Sequence, residues 1–221
     1  MKTPKVATFL GDEAGVTLVE TMVAMIITTV LLVAFYGFFF TFGDEVTSQE
    51  RRARTLEAAR PVVAELVLEL RQAVDLDGDG AVVETLNSAW DQLDLVFYSD
   101  RLDDAPGPER YRYHLGACVG NRCELLRSVT VADVGSGPNW TYSGLPSTRV
   151  VLTDVLDDGP EPLFRGSSLR TGTEITTTVC GGATPCDFEL LRIRLRVDPR
   201  TVRSGTAVVD IQEDVRFRND G

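Results

Sequence analysis

The chain has 221 residues, 43% hydrophobic and 25% charged, which is enough apolar material for one buried core of ordinary size plus one further apolar element. Its 33 acids against 22 bases give a net charge of -11, so the surface as a whole repels phosphate backbones and nucleic-acid binding is disfavoured. With one histidine and no Gly-x-Ser-x-Gly, His-Glu-x-x-His or Walker A string, the chain reads as non-enzymatic.

Residues 1–15 hold Lys2 and Lys5, the only lysines in the chain, and precede an apolar run. From Thr21 to Phe42 there is no charge, and at about 1.5 Å per residue a helix of that length spans roughly 33 Å, enough to cross a bilayer core. The apolar region of a cleavable secretory signal is shorter, roughly 7 to 15 residues, and is followed by a small-residue cut site, which is missing here. The lysines place the N-terminus in the cytoplasm and the bulk of the chain outside it.

Glu20 is the one carboxylate inside this stretch. A charge there costs about 2 to 4 kcal/mol near the bilayer centre and less near an edge, so it calls for a partner. The string Gly15-Val16-Thr17-Leu18-Val19-Glu20 resembles the prepilin peptidase site of type IV pilins and type II secretion pseudopilins, with Val16 where Phe is usual. The resemblance implies cleavage after Gly15 and N-methylation of Val16. It also implies an assembly role for Leu18 and Glu20, in which the Val16 amine of one subunit meets the Glu20 of its neighbour. The implied partners are a prepilin peptidase, other major and minor pilins or pseudopilins, and an assembly platform with its cytoplasmic ATPase. On the alternative reading Glu20 marks the headgroup level of an ordinary single-pass anchor.

Residues 16 to about 74 read as one helix in two halves, 16–42 for membrane or filament core and 43–74 amphipathic. Leu56, Ala59, Val63, Leu66, Val67, Leu70 and Val74 recur at steps of three and four, which makes one apolar stripe. Pro61 removes a helical hydrogen bond and is expected to kink or restart the helix at Ala59 or Arg60, and Gly37 is a second weak point. In the segment DLDGDGAVVE, Asp75, Asp77 and Asp79 alternate before Gly80, as in the first half of an EF-hand calcium loop. The position for a bidentate Glu holds Leu86, and the nearest acid, Glu84, falls two residues early. Calcium is therefore weighed against a solvated Asp-Gly turn.

Residues 75–221 read as an extracytoplasmic, β-rich domain. LDLVFYSD, RYRYHLGA, CELLRSVTV, TRVVLTDV, EITTTVC, LRIRLRVD and TAVVDIQEDVRFRN are strand-like runs separated by Gly, Pro, Asp and Ser clusters. The fold class is α+β, a long N-terminal helix packed on an antiparallel sheet. The order of the segments, with the tyrosine-bearing strand, the Leu-x-Arg strand and the closing VRFRN, is similar to the J-type minor pseudopilins and related minor pilins. That implies a structural subunit in a type IV pilus or type II secretion-like filament, held first in the cytoplasmic membrane and later at a filament tip.

Cys118 with Cys123, and Cys180 with Cys186, each enclose a short Gly-containing loop, so each pair is able to close its own hairpin tip; crossed pairings and a looser four-cysteine zinc site are the alternatives. His114 takes its turn in an alternating strand, which favours a structural role. Asp103, Asp104, Asp157 and Asp158 read as solvated turns, and Trp90 and Trp140 as packing residues. Two other functions fit the sequence. One is a competence or adhesion tip that touches DNA or a surface through Arg192, Arg194 and Arg196. The other is a single-pass anchored binding protein or enzyme.

Overall fold

The computed structural model describes residues 17–76, 83–84, 93–101, 105–133, 140–157, 162–167, 174–175, 190–198 and 208–217. The chain divides into two compact units, Met1–Ser48 and Gln49–Gly221. Helix α1, Leu18–Arg71, supplies the described part of the first unit and the opening element of the second.

In the first unit the helix is apolar on every side and its side chains are exposed, from Leu18 at 75% to Phe42 at 58%. Three of its threonine hydroxyls are turned back on the helix itself. The hydroxyls of Thr21, Thr29 and Thr41 donate to the carbonyls of Leu18, Met25 and Gly37 at 2.8, 2.7 and 3.0 Å. The backbone is satisfied internally and these hydroxyls with it, as an apolar medium requires. Aromatic pairs four residues apart, Phe35 with Phe39, Tyr36 with Phe40 and Phe38 with Phe42, stack at 6.1 to 6.4 Å. The helix passes through Gly37 unbroken.

In the second unit the expected stripe is the packing face. Ala59, Val63, Leu66, Val67 and Leu70 are buried, joined by Val62. Two expectations for the helix need correction. It ends at Arg71, leaving Ala73 to bridge Ser99, and it neither stops nor restarts at Pro61. Pro61 is exposed, so the carbonyl that loses its amide partner faces water, while the buried face continues through Val62 and Val63.

Among the described residues nine strands follow: β1 Val83–Glu84, β2 Asp94–Ser99, β3 Glu109–Val119, β4 Arg122–Thr130, β5 Ser147–Leu156, β6 Phe164–Ser167, β7 Glu174–Ile175, β8 Leu190–Val197 and β9 Val209–Arg216. They form one antiparallel sheet in the order β1-β2-β3-β4-β5-β8-β6-β7, with β9 on the other side of β8. One edge of β8 pairs along its length with β9; the other is shared by β6 and by the end of β5, through Val155 opposite Val197. Six of the strand-like runs fall on strands, and EITTTVC does so at Glu174–Ile175 with its remainder outside the described residues; the short β1 and β6 are additions to the expected strands.

The alternation in β3 and β8 sets the core. Tyr111 and Tyr113 point inward between Arg110, Arg112 and His114, and Leu191, Ile193, Leu195 and Val197 point inward between Arg192, Arg194 and Arg196. Phe97 of β2 stacks on both tyrosines, at 5.5 Å from Tyr111 and 6.3 Å from Tyr113. These rings and the β8 aliphatics meet the helix stripe in one cluster.

Candidate functional site

The first candidate lies at the start of α1. Thr17 caps the helix: its carbonyl and its hydroxyl accept from the Glu20 amide at 3.0 and 3.3 Å. Thr-x-x-Glu at a helix start is the capping-box spacing, and the acid in the first turn faces the positive end of the helix dipole. The Glu20 carboxylate is exposed, and among the described residues no side chain reaches it. Leu18 is exposed beside it, while Gly15 and Val16 lie outside the described residues. The helix therefore starts three residues after Gly15, with Thr17 as its cap.

The second candidate ties the helix to the sheet. Glu69 occupies a position on the buried stripe and is fully buried. It accepts from the Tyr113 hydroxyl at 2.6 Å, from Arg101 Nη1 at 3.1 Å, and from Arg127 through Nε at 3.1 Å and through Nη2. One turn earlier, Glu65 takes Arg149 at 2.5 Å and lies 3.7 Å from Arg127. Arg127 also lies over the Tyr111 ring, 5.0 Å from its centroid. Burial, then the Glu69 charge beside it, pushes the Tyr113 hydroxyl well above the usual phenol range, so it stays a donor; the same two causes push Tyr111 up to about 12. Burial lowers Arg127, but the hydrogen bond and charge of Glu69 outweigh it, and its pKa is raised. Sequence reasoning missed this cluster. The available signal was a carboxylate at a stripe position, three residues after Leu66, with a second acid four residues before it.

The remaining sequence-derived sites are scattered. Cys118 and Cys123 form a disulfide across the β3–β4 tip, where Gly120 takes a left-handed φ of 67°; Cys180 and Cys186 lie outside the described residues. Asp75 is exposed just after α1, Asp77 and Asp79 lie outside the described residues, and Glu84 is held in β1 opposite Val96. With Leu86 where the bidentate acid belongs and Glu84 fixed in a strand two residues early, these residues do not fit a complete EF-hand loop. Among the described residues no cluster of three metal-ligating side chains occurs.

His114 is half-buried in β3, and its Nδ1 has no hydrogen-bond partner among the described residues. Burial, then the nearby Arg112 charge, lowers its pKa. Trp140 packs over Gly107, where an added Cβ would meet the ring at 2.7 Å. Trp90, Asp103, Asp104 and Asp158 lie outside the described residues, and Asp157 is exposed after β5. On the outer face of β8, Arg192 and Arg194 are held by Asp214 and Asp210 of β9, at 2.7 and 2.6 Å, while Arg196 stands opposite Asp210 in the ladder.

The family model described as the prokaryotic N-terminal methylation motif matches residues 11–36. No curated protein and no solved structure matches the chain. The matched stretch contains Gly15, Val16, Leu18 and Glu20 and continues into the exposed apolar helix, which is long and apolar enough to cross a membrane. The chain thus carries a type IV pilin-like prepilin signal at its N-terminus.

Proposed function

We propose that the chain is a minor pilin-like or pseudopilin-like structural subunit, made as a precursor and assembled into, or at the tip of, a type IV pilus or type II secretion-like filament. The observation that carries this reading is the methylation motif over residues 11–36, whose described part runs into the exposed apolar stretch of α1 from Leu18 to Phe42. A prepilin peptidase cuts after Gly15 and the freed Val16 amine is methylated. The apolar half of α1 holds the subunit in the cytoplasmic membrane, N-terminus inside, and then moves from lipid into the filament core. Glu20, at the capped start of that helix, meets a Val16 amine and fixes register. The Glu69 cluster keeps the sheet locked on the helix while the helix is drawn out of the membrane. On β8, the pairing of Arg192 and Arg194 with aspartates gives no support to a DNA-contacting tip.

The test is the intact mass of the protein purified from its own membranes, before and after acylation of amines. A processed chain starts at Val16 and, having no lysine beyond Lys5, takes up a single acyl group. A chain from Met1 takes up further groups at Lys2 and Lys5 and overturns the reading.

A further inference from the structure

We propose that the groove between α1 and β9 is the docking site for an amphipathic helix of a different protein, one that carries carboxylates spaced to meet Arg60 and Arg71. The groove measures about 530 Å³. It arises because the helix leaves the middle of β9 uncovered. On the core-facing side of that strand Val209 and Val215 are buried at the two ends, whereas Ile211 between them is only partly covered and Glu213 is exposed. Val63 and Val67 form the floor on the helix side, and Leu68, 48% exposed, stands at the rim. An apolar trough of this kind suits the i, i+3, i+4, i+7 ridge of a helix.

The charges around the trough say which helix. Arg60 and Arg71 lie eleven residues apart, three turns, so both stand on the groove side of α1 about 16 Å from each other. Both are exposed, and among the described residues neither reaches a carboxylate. Arg101, Arg112, Arg122 and Arg192 sit on acids, whereas Arg60 and Arg71 present their charge to the groove. Arg71 gains something from the C-terminal end of the helix dipole, but Arg60, three turns earlier, does not. Glu213 stands on the opposite wall and asks for one base on the flank of the guest that faces β9. Apolar residues in the middle, two acids three turns apart and a base across from them therefore describe the guest. This inference concerns the folded domain and does not rest on processing at Gly15.

The test uses the full chain in nanodiscs of zwitterionic lipid, empty discs as the blank, and two soluble helical peptides of about 18 residues, five turns. Both have the same apolar ridge; one carries Glu at the two positions eleven apart and a Lys on the far flank, and the other has these charges exchanged. Fluorescence anisotropy of the labelled peptides should show the acidic peptide binding the parent chain. Binding to the Arg60→Glu/Arg71→Glu chain should be weaker by about tenfold or more, and that chain should prefer the exchanged peptide. Leu68→Asp should abolish binding of both. All three substitutions fall at exposed positions, and unchanged near-UV circular dichroism checks the fold. Failure of the acidic peptide to bind the parent, or equal binding of both peptides, overturns the proposal. So does Leu68-dependent pairing of two parent chains in one disc, which would make the occupant a second copy.

Discussion

Replacing Glu69 by Ala removes the acceptor shared by Tyr113, Arg101 and Arg127 and leaves a buried hydroxyl and a nearly buried guanidinium without it. Breaking a buried ion pair from one side costs about 3 to 5 kcal/mol. The low end applies here, because Arg101 is 31% exposed and is able to turn to water, and Arg127 keeps Glu65 at 3.7 Å. The expected loss of about 3 kcal/mol corresponds to a fall of about 6 to 12 °C in the melting temperature of a domain of this size. Tyr113→Phe, which removes one hydrogen bond to a charged acceptor and leaves both arginines in place, should cost about 1.5 to 2 kcal/mol. The double variant Glu69→Leu/Arg127→Met, apolar on both sides, should be more stable than the sum of its single variants by about 1.5 kcal/mol or more. Thermal unfolding of the full chain, followed by the near-UV signal of the tyrosines, measures all of these. A Glu69→Ala chain melting within about 2 °C of the parent, or single-variant losses that simply add, would refute the clamp.

Leu66→Ala should cost about 2 to 5 kcal/mol, read in the same melt, because Leu66 is fully buried where the helix stripe meets the sheet. Replacing Cys118 and Cys123 by Ser should cost about 2 kcal/mol, since the loop they close is short, and hydrogen exchange should rise first at the β3–β4 tip. His114 gives stability a pH dependence: its folded pKa is lowered, so between that value and about 6.5 the unfolded chain binds more protons, and stability falls as pH drops through this window. His114→Gln should flatten the pH 7 to 5 part of the curve. Asp210 and Asp214, held below the usual carboxylate range by hydrogen bonds from Arg194 and Arg192, keep their contribution there and lose it only in more acid solution. Filter binding of the chain to DNA should show no steep salt dependence, because the β8 arginines are already engaged by aspartates.

The parts of the fold that were legible in the sequence are those written as a period. The helix stripe from Ala59 to Leu70 and the alternation of Leu191 to Val197 each report a buried face directly, and both faces are buried. The α+β class follows from them. What escaped was set by contacts distant in sequence. Glu69 looked like one more helix acid because its partners, Arg101, Tyr113 and Arg127, arrive from β3, from β4 and from just after β2. Arg192 and Arg194 were open to reading as contacts for DNA or a surface because the aspartates of β9 that hold them lie far on in the sequence. The restart expected at Pro61 does not occur, because the ring lies on the solvent side and the packing of Val62, Val63 and Leu66 carries the helix through.

Four carboxylates of the folded domain are each held by bases. Glu69, fully buried, has two arginines and a tyrosine; Asp198, nearly buried, has Arg122; Asp210 and Asp214, partly exposed, have one arginine each. Glu20 is placed differently. It stands at the head of an apolar helix with only its amide engaged, by Thr17, and among the described residues no base comes near it. In water that arrangement costs little, but at the edge of a bilayer or inside a bundle of such helices a carboxylate needs a cation. The chain beyond Lys5 holds no lysine, and its first arginine, Arg51, comes 31 residues after Glu20 in the sequence. The nearest cation that chemistry can provide is therefore the α-amine that a cut after Gly15 would create on Val16. On the proposed function, the base that meets Glu20 in a packed assembly is the Val16 amine of the next subunit. A Glu20→Gln chain should then be cut normally, as judged by intact mass, and fail to enter filaments. Normal assembly of that variant would mean that the carboxylate serves only to cap its own helix.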